Sequence, residues 1–121
     1  MSRQLRQNGE NRVSARTSLP DKYRGMNKTE QARAIELEAL RRTGQIADWW
    51  YEGVTLKLAD DCRLTLDFLI QETDGTLRFE ETKGFMREDA KIKYRVASKM
   101  FPFPIRVLVK SKNGGWDVED Y

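Results

Sequence analysis

Histidine is absent from this chain of 121 residues, and cysteine occurs only once, as Cys62. Without histidine, HNH-type nuclease chemistry, a histidine general base and the usual zinc sites are all excluded. A single cysteine cannot form an internal disulfide, and its presence fits a reducing cytoplasm. Because no histidine is there to activate the thiol, we interpret Cys62 as an apolar strand residue rather than a nucleophile.

Long apolar runs are also missing. No stretch approaches the ~20 apolar residues that a membrane-spanning helix needs, and the first residues lack the apolar block of a signal peptide. A chain of this length fits one domain with a modest core. We therefore expect a cytoplasmic protein without membrane contact, divided into a flexible basic arm (1–25) and a folded domain (26–121).

The net charge of +3 is unevenly distributed along the chain. Residues 1–26 contain six basic and two acidic side chains, and residues 83–112 contain nine basic and two acidic ones. Two interpretations of the arm remain open. It lies along a phosphate backbone, or it is a solvated tail that only improves solubility.

A β-hairpin is predicted in the middle of the chain. Residues 63–71 alternate polar and apolar side chains, and residues 77–83 do the same. The Thr-Asp-Gly sequence at 73–75 suits a three-residue loop with the glycine in the left-handed conformation. The register that follows from this loop places Asp67 directly opposite Glu81.

Two facing carboxylates are an unusual feature of such a hairpin. Cross-strand partners have Cβ atoms ~4.5–5.5 Å apart, close enough for Asp67 and Glu81 to share one divalent cation. Without a cation they would repel each other, so the arrangement favours a metal. The alternative is that Asp67, Glu81 and Lys83 form a partly buried salt-bridge network.

A helix is predicted to begin at Asn27, because Asn27 and Glu30 have the spacing of a capping box. Strong helix formers follow, and Gly44 is placed to stop the helix. We expect Glu36 and Glu38 on the solvated side. The predicted apolar face consists of Ala32, Ile35 and Ala39, flanked by Leu37 and Leu40.

Residues 46–58 have the pattern of the first strand, and strands are also predicted at 105–109 and, at the sheet edge, 116–118. Together with the helices, the order is helix, three strands, helix, strand. This order predicts an α/β fold with a mixed four-stranded sheet packed by two helices. An aromatic cluster near the start of the first strand either closes the core or stacks on bases: Trp49, Trp50 and Tyr51.

The second helix is predicted to run from Glu88 to about Met100, with acidic residues at its positive end. Lys91, Arg95 and Lys99 recur at four-residue spacing and form one basic stripe. The stripe is either a phosphate-contacting ridge or an ordinary solvated face. The residues expected to pack inward are Ala90, Val96, Ala97, Met100 and Phe101.

Asp67 followed by Glu81-Thr82-Lys83 is the D…(E)xK pattern, on a hairpin between a glutamate-bearing helix and a basic helix. In this combination the chain resembles the PD-(D/E)XK nuclease superfamily. Residues 27–101 resemble a small phage family of it, long known only as a domain of unknown function, which is similar to Holliday-junction-resolvase-like endonucleases. The matching segments are KTEQAR (28–33), TGQIAD (43–48), LTLDF (64–68), ETKGF (81–85) and IKYRVASKMF (92–101).

The resemblance implies the superfamily's restriction-endonuclease-like α-β-β-β-α-β core and a Mg²⁺-dependent DNA endonuclease. It further implies phage DNA processing in the bacterial cytoplasm, with branched DNA as a candidate substrate and Mn²⁺ as a substitute metal. Asp67, Glu81 and the carbonyl of Thr82 would hold the ion through hard oxygen ligands. Lys83 would orient the attacking water and neutralise developing charge.

The resemblance adds further candidate residues. Glu30, whose other interpretation is the helix cap, becomes a third catalytic carboxylate. Lys93 matches a lysine of the family's motif and joins the basic stripe and Arg87 as DNA-binding residues. Cleavage of both strands would favour a homodimer.

Two other functions remain open at this stage. The domain could be a non-catalytic DNA-binding or inhibitory module on a nuclease fold, which keeps the basic residues without turnover. It could also be a protein-interaction domain whose acidic pocket is a structural network. The intact set of Asp67, Glu81 and Lys83 favours the enzyme over both.

Overall fold

The structure, a computed structural model, describes residues 20–121, so most of the predicted basic arm (1–19) lies outside the described residues. The described part is an α/β domain with two α-helices and seven strands, preceded by a short 3-10 turn at Asp21–Tyr23. Neither helix in residues 20–121 is long and apolar enough to cross a membrane. The elements are α1 (Lys28–Arg42), β1 (Asp48–Tyr51), β2 (Thr55–Ala59), β3 (Cys62–Thr65), β4 (Phe68–Gln71), β5 (Leu77–Lys83), α2 (Glu88–Met100), β6 (Ile105–Lys110) and β7 (Trp116–Asp120).

Five strands form the main sheet in the order β1-β4-β5-β6-β7, and β2 and β3 form a separate two-stranded sheet. β5 and β6 are parallel and are connected through α2, whereas the other neighbours in the main sheet are antiparallel. The predicted mixed sheet with two helices is confirmed, but its size of four strands is wrong. The fifth strand, β7, pairs with β6 from Arg106↔Asp120 to Lys110↔Trp116.

The strands predicted at 46–58 and 63–71 are each interrupted, which explains the separate small sheet. Glu52 has a positive φ of 49°, a conformation that few residues other than glycine adopt, and it ends β1. The second interruption is a bend at Leu66 and Asp67. The two interruptions meet, because the Glu52 N–H donates to the carbonyl of Asp67 at 2.8 Å.

The bend at Asp67 also changes which side of the domain the flanking residues contact. Leu64 and Leu66 pack in one core cluster with Tyr94 of α2. Phe68 and Ile70 pack in the other, with residues of α1. The prediction that these apolar residues share one face of a continuous strand was therefore wrong.

The hairpin between β4 and β5 has the predicted loop and register. The Glu72 N–H donates to the Thr76 carbonyl at 2.8 Å, and Gly75 has a φ of 90°. The paired residues run from Phe68↔Glu80 to Gln71↔Leu77. One further step along this register brings Asp67 to Glu81.

The two helices cover opposite faces of the sheet. Consecutive strand residues point to opposite faces, and Glu80 of β5 bonds to Arg33 of α1, whereas Glu81 bonds to Tyr94 of α2. The catalytic candidates on β5 therefore lie on the α2 face.

The buried side of α1 differs from the predicted one. Ala34 and Leu37 are fully buried, whereas Ala32, Ile35 and Ala39 are exposed. Two of the inward positions, Arg33 and Glu38, are charged, so the apolar period did not reveal this face.

Glu38 was expected in solvent, but it is only 8% exposed. Its carboxylate accepts hydrogen bonds from Lys22, Arg41, Arg42 and the indole N–H of Trp49, at 2.8–3.2 Å. The bonds from Arg41 and then Lys22 hold the pKa of Glu38 well below its usual range. This cluster ties the segment before α1 to the helix.

The aromatic cluster contributes mainly to the core. Trp49 is buried and its ring lies 5.9 Å from that of Phe68, while Tyr51 packs against the same cluster. The Lys22 ammonium stands 4.8 Å from the centre of the Trp49 ring. Trp50, in contrast, is exposed.

α2 has the predicted bounds, and Ala97 packs inward as expected. Val96 and Met100, which were predicted to pack inward, are exposed. The large buried residue of this helix is Tyr94, which the apolar pattern did not single out.

Candidate active site

Asp67 and Glu81 lie close together where the bend before β4 meets the end of β5. Both residues are buried, with exposures of 8% and 6%. The backbone N–H of Asp67 donates to Glu81 Oε1 at 2.9 Å. The hairpin register therefore brings the two predicted metal ligands together.

Thr82 holds the Asp67 carboxylate in place. Asp67 Oδ2 accepts the Thr82 N–H at 2.8 Å and the Thr82 hydroxyl at 2.9 Å. No donor among residues 20–121 bonds to Asp67 Oδ1. One oxygen of Asp67 is thus fixed by the protein, and the other remains available to a ligand.

The proximity of the two carboxylates changes the proton affinity of Asp67. Burial, followed by the negative charge of Glu81, raises the pKa of Asp67 to about 8. The hydrogen bonds from Thr82 oppose this increase, and the charge of Glu30 adds slightly to it. A cation between the carboxylates would offset both causes, because it favours the ionised forms.

Glu81 Oε2 has two neighbours that donate hydrogen. The Tyr94 hydroxyl donates to it at 3.1 Å, and the Lys83 ammonium lies 3.7 Å away. Within the described residues, Lys83 makes no ion pair with Asp67. Among residues 20–121 no lysine bridges both carboxylates, an arrangement that would have favoured the salt-bridge network, although the Lys83–Glu81 pair is one part of such a network.

Glu30 has the helix-capping role that its spacing predicted. Its backbone N–H bonds to the Asn27 side chain at 2.8 Å, and its Oε1 accepts the Asn27 N–H at 2.9 Å. The same Oε1 accepts the Tyr51 hydroxyl at 3.0 Å. No group of three or more acidic, cysteine or histidine residues in 20–121 is close enough to hold one metal. A direct role for Glu30 stays a prediction.

An open pocket of about 410 Å³ begins at Glu81 and Lys83. Arg87, at the start of α2, and Lys93, six residues further along the chain, line the same pocket. The pocket thus has three positive side chains and two carboxylates, Glu81 and Asp89, and this excess of positive charge suits an anionic ligand. The remaining lining residues are Leu64, Ala90 and Tyr94.

The predicted basic stripe lies on α2 but does not line this pocket. Arg95 and Lys99 are exposed, and Lys91 is partly buried beside Glu88 at 3.6 Å. Arg87 and Lys93 are therefore the predicted DNA-binding residues that line the same pocket as Glu81.

Sequence reasoning missed a second acidic site on the α1 face. Glu80 is fully buried, and its carboxylate accepts two hydrogen bonds from Arg33, at 2.7 and 2.9 Å, and one from Arg78 at 3.0 Å. The period-2 pattern could have shown that Glu80 faces away from Glu81. The arginine partner on α1 is a tertiary contact that no local pattern indicates.

The two carboxylates suit a hard divalent cation. They offer oxygen ligands only and lie close together, and burial, followed by the negative charge of Glu81, raises the pKa of Asp67. Mg²⁺ is typically bound by one or two carboxylates and completes its coordination with water and phosphate oxygens. Asp67 and Glu81 therefore fit Mg²⁺ or Mn²⁺.

Comparison of the chain with protein-family models, curated proteins and solved structures found no match.

Proposed function

We propose that this domain is a metal-dependent endonuclease that hydrolyses phosphodiester bonds in DNA. The observation that supports it is the meeting of two facing buried carboxylates, Asp67 and Glu81, with a pocket lined by Lys83, Arg87 and Lys93. A phosphodiester needs both parts, because the cation binds between carboxylate and phosphate while basic side chains bind the remaining phosphate oxygens.

The protein's contribution begins with the metal ligands. Asp67 and Glu81, with the carbonyl of Thr82, would hold Mg²⁺. When bound, the ion would polarise the phosphoryl oxygen and lower the pKa of a bound water. Thr82 keeps Asp67 oriented by two hydrogen bonds, and the Asp67 N–H does the same for Glu81. The ligand geometry is thus set before the ion arrives.

Lys83 is placed to act on the reacting phosphate. Its ammonium is 3.7 Å from Glu81 Oε2, longer than the 2.7–2.9 Å of a close charged hydrogen bond. It can therefore turn to a phosphate oxygen or to the attacking water in the pocket. There it would neutralise charge that develops in the transition state.

The proposal includes phage DNA processing in a bacterial cytoplasm, with a preference for branched DNA, as the resemblance implies. It also includes a homodimer. Three exposed apolar residues of α2, Ile92, Val96 and Met100, recur at four-residue spacing on one side of the helix. Packing of two copies through this side would join the exposed apolar surfaces.

A non-catalytic DNA-binding or inhibitory module is the second candidate. Glu81 has both oxygens hydrogen-bonded without a metal, by Asp67 and Tyr94, which favours a stable metal-free network. This module would use the same basic pocket without turnover.

Single-turnover cleavage in Mg²⁺ separates the two candidates, with linear and branched DNA as substrates and a DNA-binding assay in Ca²⁺ alongside. If the domain is an endonuclease, the parent protein should cut DNA and the Glu81→Gln variant should not. Glu119→Gln, which alters an exposed carboxylate far along β7, serves as the matched control. DNA binding without cleavage by the parent protein would favour the binding module.

A further inference from the structure

Tyr94 occupies an unusual place for a core residue. It is the largest of the fully buried side chains, with 1% exposure, yet its hydroxyl reaches the candidate metal ligand Glu81 at 3.1 Å. We propose that Tyr94 is a positioning residue of the nuclease site, which fixes Glu81 and keeps the Lys83 ammonium from closing onto it. The inference rests on the proposed function.

The packing around Tyr94 fixes where its hydroxyl lies. The ring is in the core cluster beneath α2, and the ring of Tyr121 covers it at a centroid distance of 5.5 Å. A buried hydroxyl without a partner is costly, and Glu81 is the partner that residues 20–121 provide. Within the described residues the Tyr94 hydroxyl is therefore held at Glu81 Oε2.

Tyr94 and Lys83 approach the same oxygen of Glu81. The Oε1 atom accepts the Asp67 N–H at 2.9 Å, and both of these side chains lie beside Oε2. Hydrogen bonds between lysine and a carboxylate typically measure about 2.7–2.9 Å. Here Tyr94 holds the nearer position and Lys83 stays at 3.7 Å, free to meet a phosphate.

Tyr94 also connects the two halves of the site. It is adjacent in sequence to Lys93, which lines the pocket, and it lies on the helix that begins after Arg87. α2 thus carries Lys93 of the pocket and, through the Tyr94 hydroxyl, contacts the candidate metal ligand Glu81 of β5.

Tyr94→Phe tests this role because it removes only the hydroxyl. Tyr121→Phe is the matched control, since that hydroxyl bonds to exposed Glu119 and not to the site. We expect Tyr94→Phe to reduce Mn²⁺ affinity and kcat about tenfold each, as for other residues that orient metal ligands. The KM for DNA and the Tm should change little. Tyr121→Phe should match the parent protein in all four measurements.

A double variant tests the link to Lys83. In a Lys83→Ala background, Tyr94→Phe should reduce kcat by much less than tenfold, because the lysine that it would misplace is gone. A crystal structure of metal-free Tyr94→Phe should show Lys83 Nζ within about 3 Å of Glu81 Oε2.

Each opposite result overturns the inference. These are Mn²⁺ affinity and kcat of Tyr94→Phe equal to those of the parent, fully additive effects in the double variant, or a Lys83–Glu81 distance that does not shorten. A loss of kcat that merely follows a fall in Tm would equally show a structural role. If the parent binds Mn²⁺ and cuts DNA while Tyr94→Phe is unchanged, only this inference fails. If the parent neither binds Mn²⁺ nor cuts DNA, the proposed function fails as well. In that case a Lys83–Glu81 distance that shortens in Tyr94→Phe would show only that Tyr94 keeps Lys83 away from Glu81.

Discussion

Arg33 of α1 binds Glu80 of β5 through two parallel hydrogen bonds, of 2.7 and 2.9 Å, across 47 positions of sequence. Glu80 is fully buried, and this pair fixes the helix to the centre of the sheet. It lies directly behind the candidate active site, because Glu80 and Glu81 point to opposite faces of one strand.

Arg33→Ala should therefore destabilise the domain strongly. It leaves Glu80 in the interior with Arg78 as its remaining partner, and loss of one member of a buried pair costs about 3 kcal/mol. Urea denaturation measures the change. Arg24→Ala, which removes an exposed pair with Asp21, should cost less than about 0.5 kcal/mol. Equal losses in the two variants would contradict the structural role of Arg33.

Asp67→Asn should remove a pH dependence of stability. The pKa of Asp67 is about 8 in the folded protein and near 3.8 ordinarily, so folding favours the neutral carboxyl. The free energy of unfolding should fall as pH rises from about 4 to about 8 without metal, because this carboxyl ionises in the unfolded chain above about pH 4 but stays protonated in the folded protein until about pH 8.

At pH 8.5 without metal, the Tm of Asp67→Asn should exceed that of the parent by several degrees, while the two should nearly agree at pH 4. Added Mg²⁺ should raise the Tm of the parent alone. Asp61→Asn, in the exposed turn between β2 and β3, is the control. A lower Tm for Asp67→Asn at both pH values would support the salt-bridge network instead.

Lys83→Ala should keep metal and DNA binding and lose turnover by about 10²-fold, since the lost interaction forms chiefly in the transition state. Lys83→Arg should be a poor substitute, because a planar guanidinium cannot occupy the place of a compact ammonium. Single-turnover cleavage in Mg²⁺ and DNA binding in Ca²⁺ measure the two properties. Exposed Lys112→Ala provides the control. Parental cleavage by Lys83→Ala would refute the catalytic assignment.

The path of DNA can be found from the dependence of affinity on salt. Each lost phosphate contact reduces the log–log slope by ~0.9 on duplex DNA. The pocket residues Arg87 and Lys93, changed together to Ala, should therefore reduce the slope by about 1.8.

A second variant tests the basic stripe, one interpretation of which is a phosphate-contacting ridge. In this variant the charges of Lys91, Arg95 and Lys99 are neutralised, and its slope is compared with that of the pocket variant. A reduced slope would show that DNA extends from the pocket along α2. An unchanged slope would leave the stripe as a solvated face, and equal slopes for the pocket variant and the parent would contradict the pocket as a phosphate site.

Val96→Glu should prevent the proposed homodimer. The substitution places a carboxylate at the centre of the exposed apolar side of α2, where a second copy would pack. Light scattering coupled to size-exclusion chromatography measures the mass. Exposed Lys110→Glu is the control. A monomeric parent, or a dimer that Val96→Glu leaves intact, would contradict this interface.

The parts of the fold that local sequence determines were predictable. The loop at 73–75 fixes the β4–β5 register through short-range hydrogen bonds, and this alone brings Asp67 to Glu81. The bounds of α2 follow from its acidic start and the prolines after Met100. The candidate metal ligands could thus be found without the structure.

The parts that depend on tertiary contacts were not predictable. Glu52 adopts a positive φ without being glycine, and its N–H is satisfied by Asp67, 15 positions away. No pattern around either residue marks the resulting interruptions. The inward side of α1 was missed because Arg33 and Glu38 are buried by ion pairing, which an apolar period cannot reveal.

The adjacent glutamates of β5 make the fold vulnerable to an error in strand pairing. A slip of one residue would exchange the faces of every β5 side chain, yet Glu81 could then meet Arg33 and Glu80 could meet Tyr94. The charges of the two glutamates would therefore hardly distinguish the correct pairing from the slipped one. The slipped pairing is disfavoured because Phe79 would leave its core cluster and the charged Arg78 would enter that cluster. The short loop that ends in Gly75 therefore selects between the two pairings, because it fixes the register in which Glu81 points to the pocket.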